Sequence, residues 1–276
     1  MKKKVLTAAI LTFAAITLVV VTVFTTVALL SASSAVSNVF TIGEVKIEML
    51  ESKVDSNTGL PDPSGAKTDG NSYHLKPGLS YTKDPTIYIR NTLGNGGDTM
   101  YLFVKSNNQI RNIEAGNNGE TALTMRKQME ANGWVEFVQS GDGMEIVWVY
   151  GTRDSQTGII RPRSVGINSK QIGADGQELT GANAGEFRLC EEFTIAQSAD
   201  ITSYAAAKVN FTAYAIQDSG ILPEGVVDEK NNIAKYAWTA LKNAYDYEGG
   251  IVNPKNPYNG ATGDDAYEPV PGNVNP

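Results

Sequence analysis

The sequence contains one histidine and one cysteine among its 276 residues, and the scarcity of histidine excludes several kinds of active site. A zinc hydrolase uses two or three imidazole ligands, and a serine triad needs a histidine that a carboxylate orients. His74, in "NSYHLKPG", is the only imidazole, and the motifs H-E-x-x-H and G-x-S-x-G are absent. We therefore predict a protein that is not an enzyme and has no catalytic residues, and a solvated or capping role for His74.

The single cysteine excludes a disulfide scaffold. Cys190 lies in "FRLCEEF", an apparent strand, where a buried apolar role is favoured over a reactive thiol. Basic residues are also outnumbered, since 23 Lys and Arg stand against 30 Asp and Glu. Without residues 1–28, which hold three lysines and no acidic residue, the formal charge moves from −7 to −10. Such an acidic chain with no basic patch is predicted not to bind nucleic acid.

A long apolar run occurs only at the start of the chain. Three lysines at positions 2–4 precede residues 5–30, which are apolar apart from scattered threonines and are long enough to span a bilayer. This pattern is typical of a signal peptide. Small residues favour cleavage after Ala28 or after Ala35, and an uncleaved anchor is the alternative. In each case the rest of the chain is exported and is secreted or held at the cell surface.

Beyond the apolar run, polar and apolar residues alternate with period two between turn-rich loops, which indicates strands. Seven or eight such strands with two helical segments predict an all-β fold, an antiparallel jelly-roll-like β-sandwich with a few inserted or terminal helices. The predicted divisions are a signal peptide at 1–28, an N-terminal arm at 29–39, a β-sandwich domain at 40–248 with a C-terminal helix at 228–245, and a disordered acidic, proline-rich tail at 249–276.

Two local patterns refine the strand predictions. Phe40 and Ile42 fall on the opposite parity from Ile47 and Met49, so one strand would need a β-bulge at Gly43 to keep all four inward.

Tyrosines on the outward parity of strands suit either lateral association or ordinary half-buried packing. These tyrosines are Tyr88, Tyr101 and Tyr214.

Oxygen-bearing side chains gather in one long loop and again in the tail. They are hard ligands of the kind calcium takes, but no D-x-[DN]-x-[DN]-G frame is present. Roles as turn residues are therefore favoured, and we predict no cofactor, with calcium as the alternative. The residues concerned are Asp55, Asn57, Asp62, Asp69 and Asn71 in the loop, and Asp264, Asp265 and Glu268 in the tail.

Three passages carry a family resemblance. In "TTVALLSASSAVSNVFTIGEVKIEM" an apolar segment leads to a strand through a phenylalanine, a small residue and a glycine, and "VNFTAYAIQDSG" is a late alternating strand that ends in a polar turn. The third passage is "LKPGLSYTKDPTIYIRN", whose motif residues are Leu75, Pro77, Gly78, Thr82, Lys83 and Asp84. Together they resemble the TasA/camelysin family of exported bacterial biofilm-matrix and cell-surface proteins, which a dedicated signal peptidase releases.

The resemblance implies a jelly-roll sandwich, cleavage between Ala28 and Leu29, and assembly into extracellular fibres. In such fibres the N-terminal segment of one subunit completes the sheet of the next. The implied partners are further copies of the chain arranged head to tail, the signal peptidase during export, and an accessory matrix protein. Some family members are described as metalloproteases, but His74 alone does not supply the ligands for that activity.

After cleavage, "LLSASSAVSNV" would be a free arm of apolar and small residues. Such an arm can add to an exposed sheet edge, where backbone hydrogen bonds give affinity and side-chain pockets give register. A spacer at the cleavage site is the competing interpretation. The residues assigned to donor-strand assembly are Leu29, Leu30, Ala35, Val36, Phe40 and Ile42.

The sequence therefore predicts a secreted structural protein of the extracellular matrix or cell surface, which polymerises through its N-terminal strand. Contact with the membrane is expected only before cleavage. A monomeric surface adhesin that binds through its polar loops is the first alternative. A cell-surface metalloprotease, as described for some family members, is the second.

Overall fold

The computed structural model describes the backbone of residues 31–42, 46–90, 99–218 and 232–248, and the side chains of 46–90, 99–218 and 233–241. These residues form thirteen strands, two α-helices and three short 3-10 helices at Arg111–Ile113, Ala115–Asn118 and Thr202–Tyr204. The helices are α1 (Met125–Ala131) and α2 (Asn232–Glu248). The strands are β1 (Ser31–Ile42), β2 (Ile47–Ser52), β3 (Lys67–Thr68), β4 (Gly70–His74), β5 (Ser80–Thr82), β6 (Thr86–Ile89), β7 (Met100–Asn108), β8 (Trp134–Gln139), β9 (Glu145–Arg153), β10 (Ile160–Pro162), β11 (Glu186–Arg188), β12 (Glu192–Thr194) and β13 (Val209–Gln217).

The strands form three sheets. The largest has seven strands in the order β10-β9-β7-β13-β1-β4, with β8 paired to β9. A second sheet has the order β11-β6-β2-β3, and β12 pairs with β5. Within the described strands every pair is antiparallel except β1 with β13, which run parallel. The prediction of an all-β fold built on antiparallel sheets with few helices is confirmed.

The large sheet is buried on both faces because different elements cover each one. Leu102 and Val104 of β7 join the larger apolar cluster, together with Ile87 of β6 in the second sheet. Phe103, between them, points the other way and joins a smaller cluster with Trp238 of α2. Successive side chains of a strand alternate between faces, so a strand covered on both sides carries a nearly continuous apolar run.

Helix α2 covers the second face of the large sheet. Its buried residues recur at helical spacing and are Ala234, Ala237, Trp238 and Leu241. The helix runs to Glu248, whereas the predicted helix ended at residue 245. The predicted start of this helix, at position 228, lies outside the described residues. In the part of the chain that the structure describes, no helix has both the length and the apolar character to cross a bilayer.

One of the predicted outward tyrosines is in fact buried. Tyr214 is 5% exposed because α2 packs over it, and its ring lies 5.2 Å from that of Trp238 in an edge-to-face arrangement. Tyr88 and Tyr101 are half-buried. Strand parity assigned Tyr214 to the face opposite the main core, but it gave no information about a helix on that face.

The start of the domain also differs from the prediction. Ile42 ends β1 in the large sheet, whereas Ile47 begins β2 in the second sheet. The prediction of one continuous bulged strand is therefore wrong, and Gly43 itself lies outside the described residues. The boundary that the sequence placed between an arm at 29–39 and the domain falls within β1, which continues to Ile42.

Candidate assembly site

Strand β1 lies between β4 and β13, which do not pair with each other. Residues 31–35 pair antiparallel with β4, from Ser31 opposite His74 to Ala35 opposite Gly70. Farther along, β1 runs parallel to β13, and the pairing shifts register between Val36 and Val39. The first part of β1 therefore binds β4 and the second part binds β13.

Both neighbours depend on β1 for their backbone hydrogen bonds on one side. β13 pairs with β7 along its other edge, but β4 pairs with no other strand among the described residues. Unpaired backbone N–H and C=O groups at a buried edge are costly, and exposed edges promote association with other chains. Without β1, the large sheet would end at β13 and β4 would lose its ladder.

The edge that receives β1 is apolar on both faces. Phe211, Ala213 and Ala215 of β13 belong to the larger cluster, whereas Tyr214 and Ile216 belong to the smaller one. All five are 5% exposed or less. An empty position beside β13 would uncover part of both clusters, and burial of apolar surface contributes about 25 cal/mol per Å². The domain therefore requires a strand at this position.

The predicted assembly residues fall into two groups. Ala28, Leu29 and Leu30 lie outside the described residues, so neither the cleavage site nor the first arm residues are placed. The others lie on β1: Ala35 opposite Gly70, Val36 opposite Phe211, Phe40 opposite Tyr214, and Ile42 opposite Ile216. In the single chain, β1 lies in the sheet of its own subunit.

The "LKPG" residues form the turn between β4 and β5, and Leu75 belongs to the larger apolar cluster. Leu75 is 2% exposed, and Gly78 adopts a φ of 75°, the left-handed region that glycine tolerates. The Gly78 N–H donates to the carbonyl of Ile195 at 2.9 Å, and the Thr82 N–H donates to the carbonyl of Gly59 at 2.9 Å. The turn therefore fixes the approach of β5 to β12.

Lys83 and Asp84, at the end of the motif, both bind strand β2. The Lys83 ammonium and the Glu51 carboxylate are fully buried and lie 2.5 Å apart. Asp84 accepts hydrogen bonds from the Ser52 N–H and the Ser52 hydroxyl, each at 2.7 Å. The motif is therefore part of the interior, and its charged residues connect the segment after β5 to the second sheet.

Sequence reasoning missed two residues of this cluster, Glu51 and Asn71. The Asn71 amide donates to Glu51 Oε1 at 2.8 Å and accepts from the Val54 N–H at 2.9 Å. A signal for Glu51 was present, since it shares the inward parity of Ile47 and Met49 in β2. Asn71 had been grouped with the loop ligands, but it lies in β4 and is buried.

Burial dominates the electrostatics of this cluster. It raises the pKa of Glu51, although Lys83 and the Asn71 hydrogen bond oppose the shift. Burial also raises the pKa of Cys190, whose thiol donates to the Lys83 carbonyl at 3.2 Å. Cys190 is fully buried, as predicted, but it lies between β11 and β12 rather than in a strand.

Two of the remaining loop carboxylates, Asp55 and Asp62, hold turns. Asp55 Oδ1 accepts from the N–H groups of Asn57 and Thr58, and Asp62 Oδ1 accepts from the Ser64 N–H at 2.9 Å. Among the described residues there is no group of three or more His, Cys, Asp or Glu side chains arranged to hold a metal ion. The acidic residues of the predicted tail lie outside the described residues.

His74 lies at the end of β4, beside the start of β1. Its backbone pairs with Ser31, and its N–H donates to the carbonyl of Ser56 at 2.7 Å. The residue is half-buried, and its backbone is part of the β1–β4 ladder.

No family model, curated protein or solved structure matches the chain. The TasA/camelysin resemblance therefore stays a prediction.

Proposed function

We propose that this protein is a secreted structural protein of the cell surface or biofilm matrix, which polymerises by donating β1 to the sheet of the next subunit. Its domain would be a jelly-roll-like β-sandwich. One observation carries the proposal: β1 is the only described strand that pairs with β4, and it completes the buried edge of β13. A position that a strand must fill can be filled by the same strand from another copy.

The same hydrogen bonds and the same burial are available within one chain and between two chains. Only four residues, 43–46, separate the end of β1 from the start of β2. The balance is therefore set by the subunit concentration and by how readily this short connection accommodates each arrangement. A head-to-tail exchange that does not close on itself makes an open filament.

Release from the membrane would control the exchange. The apolar run of residues 5–30 leads directly into Ser31, the first residue of β1. While that run is inserted, β1 stays beside its own subunit. Cleavage by a signal peptidase frees the strand, and an accessory matrix protein that offers a first acceptor edge would start the fibre.

Cysteine cross-linking between two single variants tests the exchange. Val39 and Ala213 are register partners across β1 and β13. Neighbouring strands lie about 4.8 Å apart, within the Cα separation that a disulfide spans. Val39→Cys protein is mixed with Ala213→Cys protein under assembly conditions and then oxidised. A covalent heterodimer on a non-reducing gel is expected because only exchange between subunits brings the two cysteines together.

The matched control replaces Val39→Cys by Ser33→Cys, which lies opposite Ser72 of β4 rather than beside Ala213. Cys190 does not interfere, since it is fully buried and present in every sample. If Val39→Cys yields no more heterodimer than Ser33→Cys while filaments form, the proposed strand exchange is wrong. A protein that stays monomeric but still attaches to surfaces would favour the adhesin alternative instead.

Truncation separates the structural role from the alternatives. A chain that begins at Leu29 is expected to form filaments visible by negative-stain microscopy, whereas one that begins at Gly43, without β1, should not. A synthetic peptide of residues 29–42 should bind the truncated chain and raise its unfolding temperature, since a ligand of the folded state stabilises it. Equal behaviour of the two chains, or chelator-sensitive casein hydrolysis by either, would contradict the proposal.

A further inference from the structure

Glu51, Asn71 and Lys83 form a buried trio that the proposed assembly does not use. They come from β2, from β4 and from the segment after β5. Glu51 is shared between the other two: its Oε2 lies 2.5 Å from Lys83 Nζ, and its Oε1 accepts from Asn71 Nδ2 at 2.8 Å. One carboxyl group therefore contacts both an amine and a carboxamide.

The surroundings of the trio are apolar and aromatic. Lys83 Nζ lies 5.6 Å from the centre of the Phe211 ring, and the rings of Tyr81 and Phe193 stack 5.1 Å apart nearby. Lys83 and Glu51 are both fully buried. Desolvation raises the pKa of Glu51, so the neutral acid that results from taking a proton is accessible in this interior. A neutral amine is a nucleophile, whereas an ammonium ion is not.

The Asn71 carboxamide is oriented as an electrophile. Its Oδ1 accepts from the Val54 N–H at 2.9 Å, and this donor would stabilise negative charge on that oxygen. Its Nδ2 donates to Glu51 Oε1 and to the Ser52 carbonyl, each at 2.8 Å. The departing nitrogen is thus already in contact with the group that can protonate it.

We propose that Lys83 and Asn71 become joined by an intramolecular isopeptide bond, with Glu51 as the catalytic acid–base. This inference does not depend on the proposed function. Glu51 first takes a proton from the Lys83 ammonium, and Nζ then attacks Cγ of Asn71 to form the new C–N bond. The Val54 N–H binds the resulting oxyanion.

The leaving group departs with the help of the same carboxyl. Protonated Glu51 delivers its proton to Nδ2 and accepts one from Nζ, the Cγ–Nδ2 bond breaks, and ammonia leaves. Glu51 ends protonated, in accord with its burial. The reaction joins an amine and an amide, releases one molecule of ammonia, and needs no oxidant, metal or other reactant.

The bond would tie β4 to the segment that follows β5. A cross-link between residues 71 and 83 restricts the unfolded chain, as a disulfide would, and so raises stability. It would also hold β4 in place independently of β1, its only strand partner in the described ladder.

Mass spectrometry of the purified, folded protein is the test. The intact chain is expected to be lighter than its sequence by one molecule of ammonia, and trypsin should fail to cut after Lys83. Fragmentation should map the loss to a peptide in which Asn71 and Lys83 are joined. Asn71→Ala and Lys83→Arg proteins should carry their full sequence mass, and Glu51→Gln protein should stay largely unlinked because it has no acid–base.

A second trio within the chain serves as an internal control. Lys105 lies 3.5 Å from Glu145, and Asn107 donates to the same carboxylate at 2.9 Å. The side chains of Lys105 and Glu145 are about one fifth exposed, and Oδ1 of Asn107 accepts no hydrogen bond from the residues that the structure describes. We expect no cross-link there. A second lost ammonia at Lys105 would overturn the roles given to burial and to the Val54 N–H.

The wild-type measurement needs no variant, so misfolding of a mutant leaves the test intact. Full sequence mass in the folded wild type would overturn the proposal. A succinimide at Asn71 also loses ammonia, but trypsin would then still cut after Lys83, and that result would overturn the proposal as well.

Discussion

Glu114 is a buried carboxyl whose ionisation should change the stability of the whole domain. It is 1% exposed; its Oε1 accepts from Asn108 Nδ2 at 2.6 Å and its Oε2 accepts from the Met125 N–H at 2.8 Å. Burial raises the pKa of Glu114 from 4.5 to about 7, although these two hydrogen bonds and the nearby Arg111 oppose the shift. Between these two values the folded protein holds a proton that the unfolded chain has lost.

The sign and size of the effect follow from that difference. A raised pKa favours folding most below the unfolded value of 4.5, and the advantage is lost as the pH rises through about 7. At 1.36 kcal/mol per pKa unit, the loss amounts to about 3 kcal/mol. Glu114→Gln has no proton to lose. The amide nitrogen of the glutamine is itself a donor and would face either the Asn108 amide or the Met125 N–H. The lost hydrogen bond costs about 1 kcal/mol of stability at every pH.

The variant should therefore be the less stable protein at pH 4.5 and the more stable one at pH 8. Urea unfolding at a series of pH values measures this, and the difference between the two proteins isolates Glu114 from all other titrating groups. Glu178→Gln is the control because that side chain is about half exposed beside Lys170, where an ion pair contributes little. Parallel stability curves for wild type and Glu114→Gln would refute the reasoning.

Two further substitutions test the packing around the large sheet and α1. Trp238→Ala should lower the free energy of unfolding by about 3–5 kcal/mol, since the ring packs on Phe103 and Tyr214; Tyr236→Ala on the exposed side of α2 should change it little, and equal losses would contradict the helix placement. Gly133→Ala should destabilise more than Gly176→Ala, because both have positive φ but only at Gly133 would a Cβ overlap a neighbouring carbonyl oxygen. Thermal unfolding compares the two, and equal shifts would contradict that contact.

Local patterns carried much of the strand prediction. The turn that joins β8 to β9 is such a local feature: the Ser140 N–H donates to the Glu145 carbonyl at 2.8 Å, and Asp142 accepts from the Met144 N–H. Alternation also identified β13, in which Val209 and Phe211 are buried. These features depend on residues close in sequence, so the chain itself displays them.

The position of β1 depends on contacts that are remote in sequence. Val36 lies opposite Phe211, and no periodic pattern in a segment of small residues indicates such a partner. The expectation that the arm adds to an edge was based on the family resemblance rather than on composition. Glu51 has the inward parity of its strand, and Lys83 belongs to the motif that carries the resemblance. Only the fold brings both of them together with Asn71.

The two proposals meet at β4. If β1 leaves its own sheet to be exchanged, β4 loses its ladder and keeps shorter-range contacts, such as the Tyr73 hydroxyl donating to the Thr82 carbonyl at 2.8 Å. A covalent bond at Asn71 would hold β4 in the position from which it can accept Ser33 and Ala35 of another copy, since Asn71 lies between their register partners. The cross-link would thereby keep the acceptor edge formed while it is empty. Asn71→Ala should then slow filament growth by more than its loss of monomer stability explains. If the growth rate falls only as far as that loss of stability accounts for, β4 needs no such support.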